Sequence, residues 1–202
     1  MGRVNQTDQH GRGAGMGQWP SRDEAQAILT EWTRNTNLRK HAYAVEAAMR
    51  AYAERSRQDP DEWGVVGLLH DFDYEKYPDA QNHPYRGVEH LRGQGRPEEL
   101  VEAILAHAEY SGVARDTPLK KAIFAVDELT GLIVAVALVR PSKKLADVTV
   151  ESILKKWNDK RFAAGVNRGL IEQGAREMGV PLEEHIEVVL KAMQGIADRL
   201  GL

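Results

Sequence analysis

"LLHDFDYEKYPDAQNHPYRGVEH", residues 68–90, ends an apolar run with the pair His70-Asp71 and then sets His83 and His90 among further acids. It reads either as a metal site or as a polar loop rich in histidine, and the residues before it show how it is held. In "DPDEWGVVGLLHD", Asp59 caps a helix and Pro60 occupies its first position. Trp63, Val66 and Leu69 or His70 then recur at helical spacing, so His70 and Asp71 fall at the helix's C-terminal end.

The flanking segments follow the same period. Ser21 and Glu24 form a capping box that opens "SRDEAQAILTEWTRN". A second helix is expected from about Leu38 to Ser56, with His41, Val45, Ala48, Met49 and Tyr52 on its inward face. Beyond the histidine-rich stretch, Asn82 as cap and Pro84 in the first turn predict a short helix ended by Gly93 or Gly95. Pro97 opens "PEELVEAILAHAEYSG", where Leu100, Ile104, His107 and Ala108 share a face. Thr117-Pro118 starts a helix whose buried stripe of Leu119, Ile123, Val126, Asp127 and Thr130 includes a carboxylate. Three more amphipathic helices lie in "VTVESILKKWNDKRF", "NRGLIEQGAREMG" and "PLEEHIEVVLKAMQGIADRLGL". With no strand pattern, repeat or long linker, the expectation is an all-α, single compact bundle of roughly nine helices joined by short connections.

Composition narrows the chemistry. A chain of 202 residues with 42% apolar content can bury one sizeable core. A net charge of -3 gives no global signal for nucleic acid, so any charged site is local. The absence of cysteine removes disulfides, thiolate metal sites and cysteine nucleophiles, leaving histidine and carboxylate as metal ligands. The polar, Gly-rich residues 1–18 lack the apolar core of a secretion signal and read as a disordered leader or extension containing His10; Met16 is an alternative start, and the expected location is cytoplasmic. Leu129 to Val139, 11 residues, falls well short of the roughly 20 needed to cross a bilayer and reads as a buried helix, so no membrane association is expected.

Five of the seven histidines, His41, His70, His83, His90 and His107, lie on four different expected helices in one part of the chain. Singly, each reads as a core histidine. Together with His70-Asp71 and Asp127 they point to a metal site, because an unpaired carboxylate on an apolar face would cost several kcal/mol unless a cation lay beside it. Mixed imidazole and carboxylate donors suit zinc, manganese, iron or nickel and argue against a structural thiolate zinc cluster.

The order His41, then His70-Asp71, then Asp127, each on its own helix, resembles the H…HD…D signature of the HD-domain superfamily of metal-dependent phosphohydrolases. The resemblance covers a metal-binding core of about residues 38–135, with residues 19–202 as the whole helical domain and its C-terminal helical extension. His83 in "HPYRG" and His107 in "AHAEYSG" match the extra histidines of two-metal members. The resemblance thus implies six ligands, His41, His70, Asp71, His83, His107 and Asp127, with Asp71 bridging two divalent ions drawn from Mn, Fe, Zn, Ni or Mg. "HDFDYE" departs from the "HDIGK" of many two-metal phosphodiesterases, and no Gly-Tyr-Pro follows His107, which disfavours a cyclic-dinucleotide phosphodiesterase.

Two bridged cations supply hydroxide near neutral pH and clamp a phosphoryl oxygen. Catalytic roles are therefore expected for Asp71 and, as general acid or base, for Asp73 and Glu75 just beyond the pair. Substrate contacts are expected from His90 and from Arg140, Lys143 and Lys144, part of a run from Arg140 to Arg161 with seven basic and three acidic residues. His185 is expected to stand outside the site. The leading expectation is hydrolysis of a phosphate ester or anhydride of a small molecule, a nucleotide or related metabolite. The alternatives within the same superfamily are a mixed-valent di-iron oxygenase and a non-catalytic signalling module, and self-association is left open.

Overall fold

A computed structural model describes residues 17–202, so His10, Met16 and nearly all of the leader expected over 1–18 lie outside the described residues. Ten α-helices and two short 3-10 turns are found among the described residues, and no strand. They are α1 (Arg22–Trp32), α2 (Thr36–Arg55), α3 (Pro60–Leu69), α4 (Tyr85–Gly93), α5 (Glu98–His107), α6 (Pro118–Leu138), α7 (Val150–Trp157), α8 (Arg168–Met178), α9 (Leu182–Gln194) and α10 (Ala197–Leu200).

The caps explain most boundaries. Ser21 and Glu24 form the reciprocal capping box of α1, Asp59 accepts from the Asp61 and Glu62 amides ahead of α3, and Thr117 accepts from the Lys120 amide ahead of α6. Asn35 caps α2, which starts at Thr36, two residues before the expected Leu38. Helix α4 begins only at Tyr85, and Asn82 is not its cap: its side chain donates to Asp79, whose carboxylate organises the preceding turn. The last expected helix is broken in two, because the backbone leaves helical geometry at Ile196 (φ -123°) and resumes as α10.

Helices α2 and α6 form the centre. Helix α2 lies against α3, α6 and α9, while α6 lies against α5 and α8. The contact of α2 with α3 is close enough to exclude a side chain at Gly67, where a Cβ would come within 2.9 Å of the Glu46 backbone. Met49 and Val45 of α2, Leu68 and Leu69 of α3, and Ile123, Leu129 and Leu132 of α6 are fully buried. Packing of this kind fixes the ends of α3 and α5 beside the first turns of α2 and the middle of α6.

Candidate metal centre

Helices α3 and α5 end alike. His70 follows Gly67-Leu-Leu and His107 follows Ile104-Leu-Ala, and in each case the ring Nδ1 donates to the carbonyl three residues earlier, Gly67 at 2.8 Å and Ile104 at 2.5 Å. This bond orients the ring and leaves Nε2 free to face the cluster. The partially negative C-terminal ends of both helices also favour cations.

The other two rings are fixed in the same tautomer by different partners. The Thr130 hydroxyl donates to the Asp127 carbonyl at 2.8 Å and so accepts from His41 Nδ1 at 3.2 Å. His83 Nδ1 donates to Asp73 Oδ1 at 2.7 Å, and the second oxygen of Asp73 accepts the Gly87 amide at 2.7 Å. Gly87 permits that approach, since a Cβ there would meet the Asp73 carboxyl carbon at 2.9 Å.

Four Nε2 atoms therefore converge, in two pairs, on Asp71. His41 and His70 are 3.2 Å apart at Nε2 and face Asp71 Oδ2 at 3.9 and 3.6 Å, with Asp127 Oδ1 at 3.0 and 3.5 Å from the same two nitrogens. His83 and His107 are likewise 3.2 Å apart at Nε2 and face Asp71 Oδ1 at 3.1 and 3.3 Å. Within each of the triads His41, His70, Asp71 and Asp71, His83, His107, one donor atom per residue lies within 4.8 Å of the others. Neutral imidazoles with Nδ1 protonated meet lone pair to lone pair at these distances. A cation or a shared proton is required between them, and the residues present fit divalent metal with nitrogen and oxygen ligands.

The electrostatics agree. Burial alone would lower the pKa of His70, but the carboxylates of Asp71 and Asp127 outweigh it and lift it to about 9. His83 is raised to about 9 in the same way, with Asp71 and Asp73 overcoming its burial. Against the burial that would raise them, the neighbouring histidines hold Asp71 and Asp127 well below the usual carboxylate range. Asp127 is not sealed in the apolar stripe expected from sequence: Leu119, Ile123, Val126 and Thr130 are buried, but 21% of the Asp127 side chain is exposed to a cleft.

That cleft holds about 570 Å3. Besides five of the six expected ligands, it is lined by Tyr74, Glu109, Tyr110 and Glu128, which the sequence reading did not select. Tyr110 donates to the His83 carbonyl at 3.1 Å, and its own pKa is pushed up to about 12 by burial and then by the charge of Asp71. Burial, followed by the charge of Asp127, raises Glu128. Helical register carried a signal for two further residues, because Thr130 and Gly131 follow Asp127 by three and four positions.

The remaining expected residues lie elsewhere. Asp73 is fully buried with both oxygens engaged, and Glu75 accepts the Arg34 and Asn35 amides at 2.6 and 2.9 Å ahead of α2. The His90 ring packs on Trp32 with centroids 4.8 Å apart and lines a separate groove. Arg140, Lys143 and Lys144 follow the far end of α6, more than two helical turns beyond Asp127, and none lines the cleft. His185 is buried away from the cluster, between Tyr52 and the Ala125 carbonyl.

An all-α domain that gathers a histidine, a His-Asp pair and an aspartate from successive helices around one carboxylate defines a class of candidate divalent-metal proteins. Residues 38–132 match the family model of the HD domain. The family consists in general of metal-dependent hydrolases and includes non-catalytic members. Neither the curated proteins nor the solved structures compared with the chain gave a match. No helix among the described residues is long and apolar enough to cross a membrane.

Proposed function

We propose that this protein is a metal-dependent phosphohydrolase that cleaves a phosphate ester or anhydride of a small molecule. The observation that carries the reading is the division of Asp71, one oxygen toward His41 and His70 and the other toward His83 and His107. In this reading His41, His70, Asp71 and Asp127 hold one ion, and Asp71, His83 and His107 hold a second. The second set has fewer protein donors and leaves more room for substrate. Divalent ions held there supply an activated water and charge stabilisation of a phosphoryl group.

The surrounding residues take supporting roles. Asp73 and Thr130 hold ligand rings in place, and Glu75 holds the turn ahead of α2. Proton transfer to the leaving oxygen belongs to a group that reaches the cleft, as Glu109, Glu128 and Tyr110 do and Asp73 does not. Nothing in the cleft singles out a nucleotide, because Arg140, Lys143, Lys144 and His90 do not line it.

The donor set itself favours keeping a second reading, since nitrogen and oxygen ligands without thiolate suit iron as well as manganese or zinc. A di-iron oxygenase on the same scaffold would consume oxygen. The test is phosphate release from a panel of phosphomonoesters, diesters and anhydrides by the full chain loaded in turn with Mn, Fe, Zn, Ni and Mg, with dissolved oxygen monitored throughout. Phosphate release without oxygen uptake is expected. Oxygen-dependent turnover with no phosphate released overturns hydrolysis in favour of oxygenation.

A further inference from the structure

Helix α6 carries Asp127, Gly131, Val134 and Leu138 down one face, at spacings of four, three and four. Asp127 borders the metal cleft, whereas Val134 and Leu138 border a second cavity of about 390 Å3. Gly131 and His41 line both, so the two spaces adjoin at these residues. Opposite it, the second cavity is walled by Lys40 of α2 and by Leu200 and Leu202.

Gly131 has no packing reason to be glycine. Inside a helix glycine costs about 1 kcal/mol relative to alanine. Unlike at Gly67, a Cβ here would meet only Val166 Cγ2 at 3.8 Å, an ordinary contact. What the missing side chain does leave is open space at a position that borders both cleft and cavity. Leu138 gives an independent sign: it is 49% exposed, although the other leucines and both isoleucines of α6 are buried. An aliphatic wall left open beside a polar site is the arrangement of a ligand pocket, in which apolar surface binds and a few polar groups orient.

Charge narrows the occupant. The cleft is lined by four carboxylates, those of Asp71, Glu109, Asp127 and Glu128, and among the described residues no lysine or arginine lines it. Lys40 is the one such cation on the adjoining cavity. Two divalent ions would no more than balance those carboxylates, so the site does not attract a highly charged polyphosphate.

We infer that the substrate is a phosphate monoester of an alcohol with an aliphatic substituent, the phosphate lying in the cleft and the substituent passing over Gly131 into the cavity between α2 and α6. The inference rests on the phosphohydrolase reading above and adds the part of the substrate that does not react.

The test uses n-alkylphosphonates from methyl to octyl, which cannot be hydrolysed at the C–P bond by this chemistry, titrated calorimetrically into the full chain loaded with Mn2+. Affinity should rise with chain length by up to about fourfold per methylene, the value for full burial, until the cavity is filled. At equal metal content, Gly131→Leu should remove most of that gain and Leu138→Gln should reduce it. The half-exposed Leu138 tolerates a polar residue, so this arm remains decisive if Gly131→Leu does not fold. A flat chain-length series with metal-dependent binding of methylphosphonate overturns the pocket and leaves the phosphohydrolase reading standing. A gain unaltered in Leu138→Gln also overturns the pocket, and no phosphonate binding at all overturns both.

Discussion

Each oxygen of Asp71 faces a different pair of histidines, and the rings are held from behind by partners that never reach the cleft. Asp73 is the clearest of these. Replacing it with Asn weakens the acceptor for His83 Nδ1 and frees the ring to turn, so Asp73→Asn should lower affinity for the second ion by about 10–100-fold and leave the first nearly unchanged. Stepwise metal titration would show this; equal loss at both sites would mean that Asp73 supports the fold rather than one ligand. The raised pKa values of His70 and His83 set a pH dependence. In the metal-free protein both titrate near 9, above the unfolded value of ~6.5. Their stabilising protonation is complete below about pH 6.5 and is lost as pH rises through about 9. Metal must displace the same protons, so affinity rises over this interval. The drop in melting temperature caused by a chelator should therefore be larger at pH 9.5 than at pH 6.5, and a constant drop would contradict the assignment. His41, His70, His107 and Asp127 were legible in the sequence because helical register fixes their direction. Asp73 was not, since it lies in a turn without periodicity, and the basic run misled because charge density along a chain carries no distance to a site.

At the scale of elements, α2, α6 and α9 are tied by one buried chain of hydrogen bonds. The Tyr52 hydroxyl of α2 donates to His185 Nδ1 of α9 at 2.6 Å, and His185 Nε2 donates to the Ala125 carbonyl of α6 at 2.9 Å. Burial lowers the His185 pKa and raises that of Tyr52, so both remain neutral, as this arrangement requires. Tyr52→Phe would strand a buried acceptor at a cost of about 1–3 kcal/mol. Urea unfolding at pH 7 should show that loss without a change in metal stoichiometry; an unaltered midpoint would mean that the bond contributes nothing net. The starts of α1, α3 and α6 were legible almost to the residue because Ser21, Asp59 and Thr117 cap them by side chain. The start of α4 was not, because the Asn82 Oδ1 that would have capped it accepts instead from the Arg86 guanidinium. The break before α10 also gave no signal, since "GIADRLGL" continues the apolar period of α9 while its backbone turns.

For the molecule as a whole, the cluster draws its candidate ligands from α2, the ends of α3 and α5, the turn before α4 and the middle of α6. A cation bound there joins segments far apart in sequence and stabilises the folded chain by linkage, because the unfolded chain does not hold the ligands together. In the proposed centre Asp71 joins two ion sites. The most direct measurement is the number of metal equivalents taken up by chelator-stripped full chain, wild type and Asp71→Ala, with helix content followed by circular dichroism. Two equivalents are expected for the wild type, and neither should bind tightly in Asp71→Ala at unchanged helix content. One equivalent in the wild type, or two retained by Asp71→Ala, would contradict it.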